Sequence, residues 1–235
     1  MSKTGKIFLI PTPIGETDVY DVVPQRNREV IQGLDYFIVE NLRSARRFLS
    51  KAGIGKPIDS LIFAELNEHT DAGEIENLLK PIMNGADAGI ISEAGVPAVA
   101  DPGADVVALA HKHNIEIVPL VGPSSIILAV MASGLNGQSF AFNGYLPVKQ
   151  PERSKAIKFF ETRARKENQS QAFIEAPYRN LKLFEDILSA CAGDTRLTIA
   201  ADILQPDQFI KTRKISEWKS QKPDLNKRPA IFILG

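Results

Sequence analysis

The strongest constraint on the fold is a rhythm in the first half of the chain. Short apolar runs, Lys6 to Ile10, Tyr36 to Val39, Ser60 to Ala64, Ala88 to Ile91 and Ile115 to Leu120, read as strands. Helix-patterned stretches stand between them: Pro24 to Gly33, Ser44 to Ala52, Asp71 to Asn84 and Asp101 to His113, each with a Gly or Asn at or just past its end. Strands that return in the same direction need a crossover, and a helix of this length supplies one. The alternation therefore predicts an α/β unit with a parallel sheet covered on both faces. Ala88 to Ile91 carries no polar alternation, as expected of a strand buried on both sides.

After Val121 the rhythm changes. Gly122-Pro123-Ser124-Ser125 opens an apolar helix that stops at Gly134, and Phe140 to Phe142 reads as extended. A charged helix is expected over Pro151 to Arg165, a strand over Ala172 to Glu175 and a helix over Tyr178 to Cys191. Leu197 to Ala201, Phe209 to Lys214 and Ile231 to Leu234 close the chain as strands whose turn-rich connections favour antiparallel pairs. The expected organisation is an N-terminal α/β domain over 1–121 and a smaller α+β domain with a mixed sheet over 122–235.

Composition narrows the partners. Lys plus Arg and Asp plus Glu both number 28 in 235 residues, so nucleic-acid binding would need a local basic patch. A lone cysteine, Cys191, cannot form an internal disulfide and leans towards a reducing compartment. The apolar stretch before Pro11 is too short for a signal-peptide core, and Ile126 to Ala132 is too short for a membrane span. A cytoplasmic protein with no membrane partner is expected. His111 and His113 are two apart and cannot share a helix face, and with His69 and Cys191 they make no metal site by spacing.

The chain has no G-x-G-x-x-G after its first strand, no P-loop and no G-x-S-x-G elbow. Pro11 and Pro13 deny the first loop the N–H groups a phosphate cradle needs. What remains are loops at the carboxyl ends of strands: 11–16, 40–43, 65–70, 92–101 and 122–125. They are rich in Gly, Pro, Ser and carboxylates, and in a parallel sheet they share one rim, where such sheets bind ligands. Asp101-Pro102-Gly103 looks like a helix start with Asp at the cap. Helix N-termini after Asp101 and after Pro123 offer N–H groups to a ligand oxygen.

Six blocks, IFLIPTPIGE, IISEAGVPAVADPG, VPLVGPSS, ASGL, FNGYLP and IEAPYR, stand in the order and spacing of bacterial small-subunit ribosomal RNA methyltransferase I, which the chain resembles over essentially its whole length. That family methylates a cytidine ribose 2′-hydroxyl and belongs to the tetrapyrrole methylase superfamily. The resemblance implies a two-domain fold, S-adenosylmethionine held in the cleft between domains, ribosomal RNA or the small ribosomal subunit as partner, and a homodimer. It implies cofactor contacts at Pro13, at Ser92, Glu93, Ala94 and Gly95, at Ser124 and Ser125, at Phe142 and Gly144, at Glu175, and at Pro229 and Ala230.

The chain also departs from that pattern. Glu40-Asn41-Leu42-Arg43 replaces Glu-Asp-Thr-Arg, Glu65-Leu66-Asn67-Glu68 replaces Glu-His-Asn-Glu, and Tyr178 replaces a His. Ala201-Asp202 stands where a Glu-Leu-Thr run is usual, and Gly235 stands where relatives carry a further segment. These changes leave two alternatives open: a methylase of the same fold acting on a small molecule, or a non-catalytic relative. Glu40, Glu65 and Glu93 are the rim carboxylates, with Glu40 the candidate base or orienting group and Arg43 beside it as the second catalytic candidate. Arg43, Arg47 and Lys51 recur at helical spacing as a basic stripe, read as a solvated face or as phosphate contacts. Lys149, Arg153 and Lys158 after Tyr145 form a second cluster with the same two readings.

Overall fold

The computed structural model describes residues 4–67 and 70–235. The chain divides into two compact units between Ser124 and Ser125. In the first unit the strands are β1 (Lys6–Ile10), β2 (Tyr36–Val39), β3 (Ile62–Glu65), β4 (Ala88–Ile91) and β5 (Glu116–Pro119). They form one sheet in the order β3-β2-β4-β1-β5, and every neighbouring pair is parallel. The helices are α1 (Val19–Val22), α2 (Arg26–Gly33), α3 (Leu42–Lys51), α4 (Ala72–Met83) and α5 (Gly103–Lys112).

Right-handed crossovers decide which face each helix covers. Chain leaving β1 and β2 moves one way across the sheet. Val19, Ile31, Phe48 and Leu49 of α1, α2 and α3 accordingly pack with Ile10, Phe37, Val39 and Ile91 on one face. Chain leaving β3 and β4 moves the other way, so Ile75, Leu79, Val106 and Ala110 of α4 and α5 pack with Ile7, Ile38 and Ile90 on the opposite face. The chain leaving β4 crosses to the face opposite that taken by the chain leaving β2, and a narrow crevice lined by Val39, Glu40, Ile91 and Ser92 lies at the carboxyl ends of these two strands.

Local signals explain most boundaries. Asp71 and Glu74 form a reciprocal capping box at α4, and Asn114, in a left-handed turn, ends α5. Three expectations need correction. Helix α3 begins at Leu42, not Ser44, because the Asn41 side chain accepts the Ser44 N–H at 3.0 Å. The four-residue α1, capped by Asp18, was not expected at all. Helix α5 starts at Gly103, one turn position later than an Asp101 cap implies, although Asp101 still accepts the Gly103 N–H at 2.8 Å.

The second unit contains α6 (Ser125–Ser133), β6 (Phe140–Tyr145), α7 (Glu152–Glu167), β7 (Ser170–Ile174), α8 (Asn180–Ala190), β8 (Arg196–Ala201), β9 (Phe209–Lys214), α9 (Ile215–Trp218) and β10 (Ala230–Leu234). The sheet order is β6-β7-β10-β8-β9; only β6 and β7 are parallel, so the sheet is mixed. Ala129 and Val130 of α6 pack on one face with Ala172, Ala200 and Ile233. Helices α7, α8 and α9 cover the other through Ile157, Phe184 and Trp218.

Candidate functional site

Three loops of the first unit interlock above β1, β4 and β5. The Thr12 N–H donates to the Gly95 carbonyl at 2.9 Å, and the Gly95 N–H returns to the Thr12 carbonyl at 3.2 Å. Gly95 has φ of 75°, and a Cβ there would stand 3.2 Å from the Pro123 carbonyl oxygen, so glycine is required twice over. Gly122 touches the first loop directly: a Cβ would fall 2.2 Å from the Pro11 Cβ. Chain 92–103 is itself shaped by Asp101, whose carboxylate accepts from Ala98 N–H at 2.9 and 3.0 Å while Ala98 and Ala100 hold left-handed conformations. Burial raises the Asp101 pKa, and the bonds from Gly103 and Ala98 oppose that rise.

Of the expected cofactor residues, Pro13, Ser92, Glu93 and Ala94 line one cavity of about 310 Å³. The sequence rim was poor in cations, but this cavity is not: α3 adds Arg47 and Lys51, and Ser44 and Thr17 add hydroxyls. Ser92 is buried and its hydroxyl donates to the Gly95 carbonyl at 3.4 Å. Thr12 and Thr17 each bury a hydroxyl oxygen that has no hydrogen-bond partner. Thr12 falls in the 11–16 rim loop and Thr17 just past it, but the sequence singles out neither as a contact. Thr12 lies between two prolines, and nothing local distinguishes it from a loop residue.

Glu40 and Arg43 lie together in a neighbouring groove of about 520 Å³, with Asn41, Leu42, Arg46 and Glu65. Glu40 also borders a narrow crevice with Ser92, Asp101 and Gly103. The basic stripe is therefore split between two depressions: Arg43 belongs to this groove, and Arg47 and Lys51 to the cavity. Glu68 and His69 lie outside the described residues.

The remaining expected residues lie in the first unit's last loop and in the second unit. Ser124 ends the first unit, and Ser125 begins α6. Phe142 borders a register irregularity in β6 that ends at Tyr145, and Gly144 lies within it, at φ 63° with open space where a Cβ would point. Pro229 is exposed, and Ala230 opens β10 opposite Ala201. Glu175 is buried just past β7, with its carboxylate accepting from Arg153 Nη2 and Arg179 Nη2 at 2.6 Å each and from the Ala176 N–H at 2.8 Å. Burial works against its charge, but the bonds and charges of Arg179, the Ala176 N–H and the Arg153 charge outweigh it and hold its pKa below the ordinary range.

Arg153 overturns the expectation of a second basic surface cluster. It is 1% exposed, its Nε donates to the Pro147 carbonyl at 2.6 Å, and its guanidinium spans Glu175 and Asp186. Tyr145 and Tyr178 are exposed, and the Arg179 guanidinium lies 4.9 Å from the centre of the Tyr178 ring. Burial pushes the Cys191 thiol up to about 12, so it is no nucleophile at neutral pH. Among the described residues no group of three or more His, Cys, Asp or Glu could hold a metal ion. No described helix is long and apolar enough to cross a membrane.

No protein-family model matches the chain. Curated proteins do. It is 30% identical to Ribosomal RNA small subunit methyltransferase I of Escherichia coli, over 98% of this chain and 77% of that one. It is 31% identical to the protein of the same name from Thermotoga maritima, over 91% of this chain and 90% of that one. Among solved structures, the methyltransferase CobJ superposes with a TM-score of 0.66 over 99% of this chain and 94% of its own at 13% identity. The cobalt precorrin-4 methyltransferase CbiF superposes with 0.61, over 98% and 94%, at 15% identity. The last two share the fold, that of the tetrapyrrole methylases, and the sequence matches, which span nearly all of this chain, decide the rest: the chain belongs to the ribosomal RNA small subunit methyltransferase I family.

Proposed function

We propose that the chain transfers a methyl group from S-adenosylmethionine to the 2′-hydroxyl of a cytidine in small-subunit ribosomal RNA. The observation that carries this reading is the family match along nearly the whole chain, joined to a rim of interlocked loops at the expected positions. S-adenosylmethionine supplies a sulfonium methyl that an oxygen nucleophile can take. Ser92, Ala94, Gly95 and Ser124 are small and present mostly backbone, which suits a nucleoside ligand held through main-chain groups.

The protein's own part is positioning, water exclusion and proton removal. A ribose hydroxyl is a weak nucleophile at neutral pH, so an acceptor for its proton accelerates transfer. Glu40 fills that role in this reading, from the groove it shares with Arg43, whose charge suits an adjacent phosphate. Glu175 is committed to Arg153 and Arg179, so its part is to hold its own loop in place. A cytoplasmic homodimer accompanies the same reading.

Calorimetry and labelled methyl transfer test it. S-adenosylmethionine and its demethylated product should both bind, and small ribosomal subunits lacking the modification should take up label. Absence of cofactor binding at millimolar concentration would remove the methyltransferase reading. Binding without incorporation would remove the ribosomal acceptor.

A further inference from the structure

We infer that the cavity beside α3 is a subsite for one ribose-phosphate unit of the RNA, with Arg47 as its phosphate anchor. This rests on the ribosomal acceptor proposed above; the cavity shares Pro13, Ser92, Glu93 and Ala94 with the expected cofactor contacts, so the RNA unit would sit on the α3 side of that lining, next to the methyl donor. Four features of the cavity converge. Arg47 is exposed, lines the cavity and makes no ion pair or hydrogen bond among the described residues. Lys51, the other cation, stands 3.5 Å from Glu16 and is already compensated. Thr12, 4% exposed, and Thr17 bury hydroxyl oxygens without a partner. Glu93, within 3.4 Å of the Ser44 hydroxyl, places a carboxylate acceptor in the same lining.

An orphaned buried hydroxyl costs stability unless something bonds to it, so two in one cavity mark a place built for a polar occupant. That occupant must meet one planar cation, several hydroxyl donors and one carboxylate acceptor. A phosphodiester oxygen pair matches the Arg47 fork and the threonine hydroxyls, and a ribose hydroxyl matches Glu93. A volume of about 310 Å³ admits such a unit. Free phosphate would leave Glu93 unmatched, and DNA lacks the hydroxyl that Glu93 would accept from.

The test compares wild type, Arg47→Ala, Thr12→Val, Thr17→Val and Arg26→Ala, a cation at the start of α2 outside the cavity, for binding to small ribosomal subunits lacking the modification across a salt series. Calorimetry of S-adenosylmethionine and urea unfolding run alongside. Arg47→Ala should bind roughly tenfold more weakly and lower the slope of log affinity against log salt by about 0.7 to 0.9, one phosphate contact. Arg26→Ala should match wild type in both. Thr12→Val should weaken subunit binding yet leave folding stability unchanged or raised, because the isosteric swap removes a buried hydroxyl that the free protein never satisfies. A residue with a merely structural role would show the opposite stability sign. Wild-type affinity and slope in Arg47→Ala, with methyl transfer by the wild type intact, would overturn the subsite alone. Failure of the wild type to bind subunits would overturn the acceptor reading and the subsite with it, and cofactor calorimetry would show whether the methyltransferase reading survives.

Discussion

Arg153→Met is a sharp perturbation because the arginine has been taken almost completely out of water. Its guanidinium lies 2.6 Å from Glu175 and 3.4 Å from Asp186, and its Nε satisfies the Pro147 carbonyl at 2.6 Å. Methionine fills much of the same volume and removes all three contacts. Breaking a buried ion pair from one side costs about 3 to 5 kcal/mol, because the abandoned charge stays buried. Here Glu175 keeps Arg179 at 2.6 Å and Asp186 keeps Lys182 at 3.1 Å, so the lower end applies, about 3 kcal/mol. The protein's one tryptophan, Trp218, is fully buried in the same unit against Phe184, so its fluorescence reports unfolding there. With a urea slope of about 2 kcal/mol/M the midpoint should fall by about 1.5 M. The effect should also depend on pH. Glu175 has a depressed pKa in the folded state, so its contribution is present above the ordinary value of 4.5 and is lost as pH falls through the folded value. Wild type and variant should therefore differ most at neutral pH and converge in acid. A loss under about 1 kcal/mol, or a gap that does not narrow below about pH 4, would refute the assignment of a charged, stabilising centre.

Gly122→Ala should push the Pro11 loop out of place, since its Cβ would lie 2.2 Å from a ring carbon; cofactor affinity by calorimetry should drop at least tenfold, and an unchanged affinity would separate that loop from the donor. Ala98→Gly should stabilise by about 1 kcal/mol in urea unfolding, because glycine adopts the φ of 63° without the penalty alanine meets. Glu40→Gln should cut single-turnover methyl transfer by about 10² or more while cofactor binding stays constant, and a near-normal rate would dismiss it as the proton acceptor.

Legibility in the sequence followed the range of the interaction. Lys6–Ile10, Tyr36–Val39 and Ala88–Ile91 stood out as strands because each is an apolar run bounded by Gly, Pro or polar residues, and burial on both faces asks for nothing else. Antiparallel pairing of β7, β8, β9 and β10 likewise followed from turn-rich connections. The start of α3 was misplaced because Asn41 and Ser44 are both good caps, and which one serves depends on where β2 ends. Helix α1 is only four residues long and has no period to read. Arg153 was misread as surface because its periodicity is that of a charged helix. Its partners Glu175 and Asp186 lie 22 and 33 residues away, and only the packing of α7 on β7 and α8 brings them to it. The cavity was legible only in part: Pro13, Ser92, Glu93 and Ala94 were expected at a ligand site, but Thr12, Ser44 and Arg47 join them only once the crossovers put α3 beside the first loop.

The paired backbone bonds between Thr12 and Gly95 have a kinetic consequence for whatever binds at this rim. Two loops that leave adjacent parallel strands would otherwise fluctuate independently, and a ligand touching both would have to order both, at about 1 to 2 kcal/mol for each backbone residue fixed. With the bonds already made at 2.9 and 3.2 Å, that ordering is completed during folding. Association then meets a preorganised surface, and the entropy that a floppy rim would forfeit on each encounter remains as affinity, expressed mainly as a slower departure of the ligand.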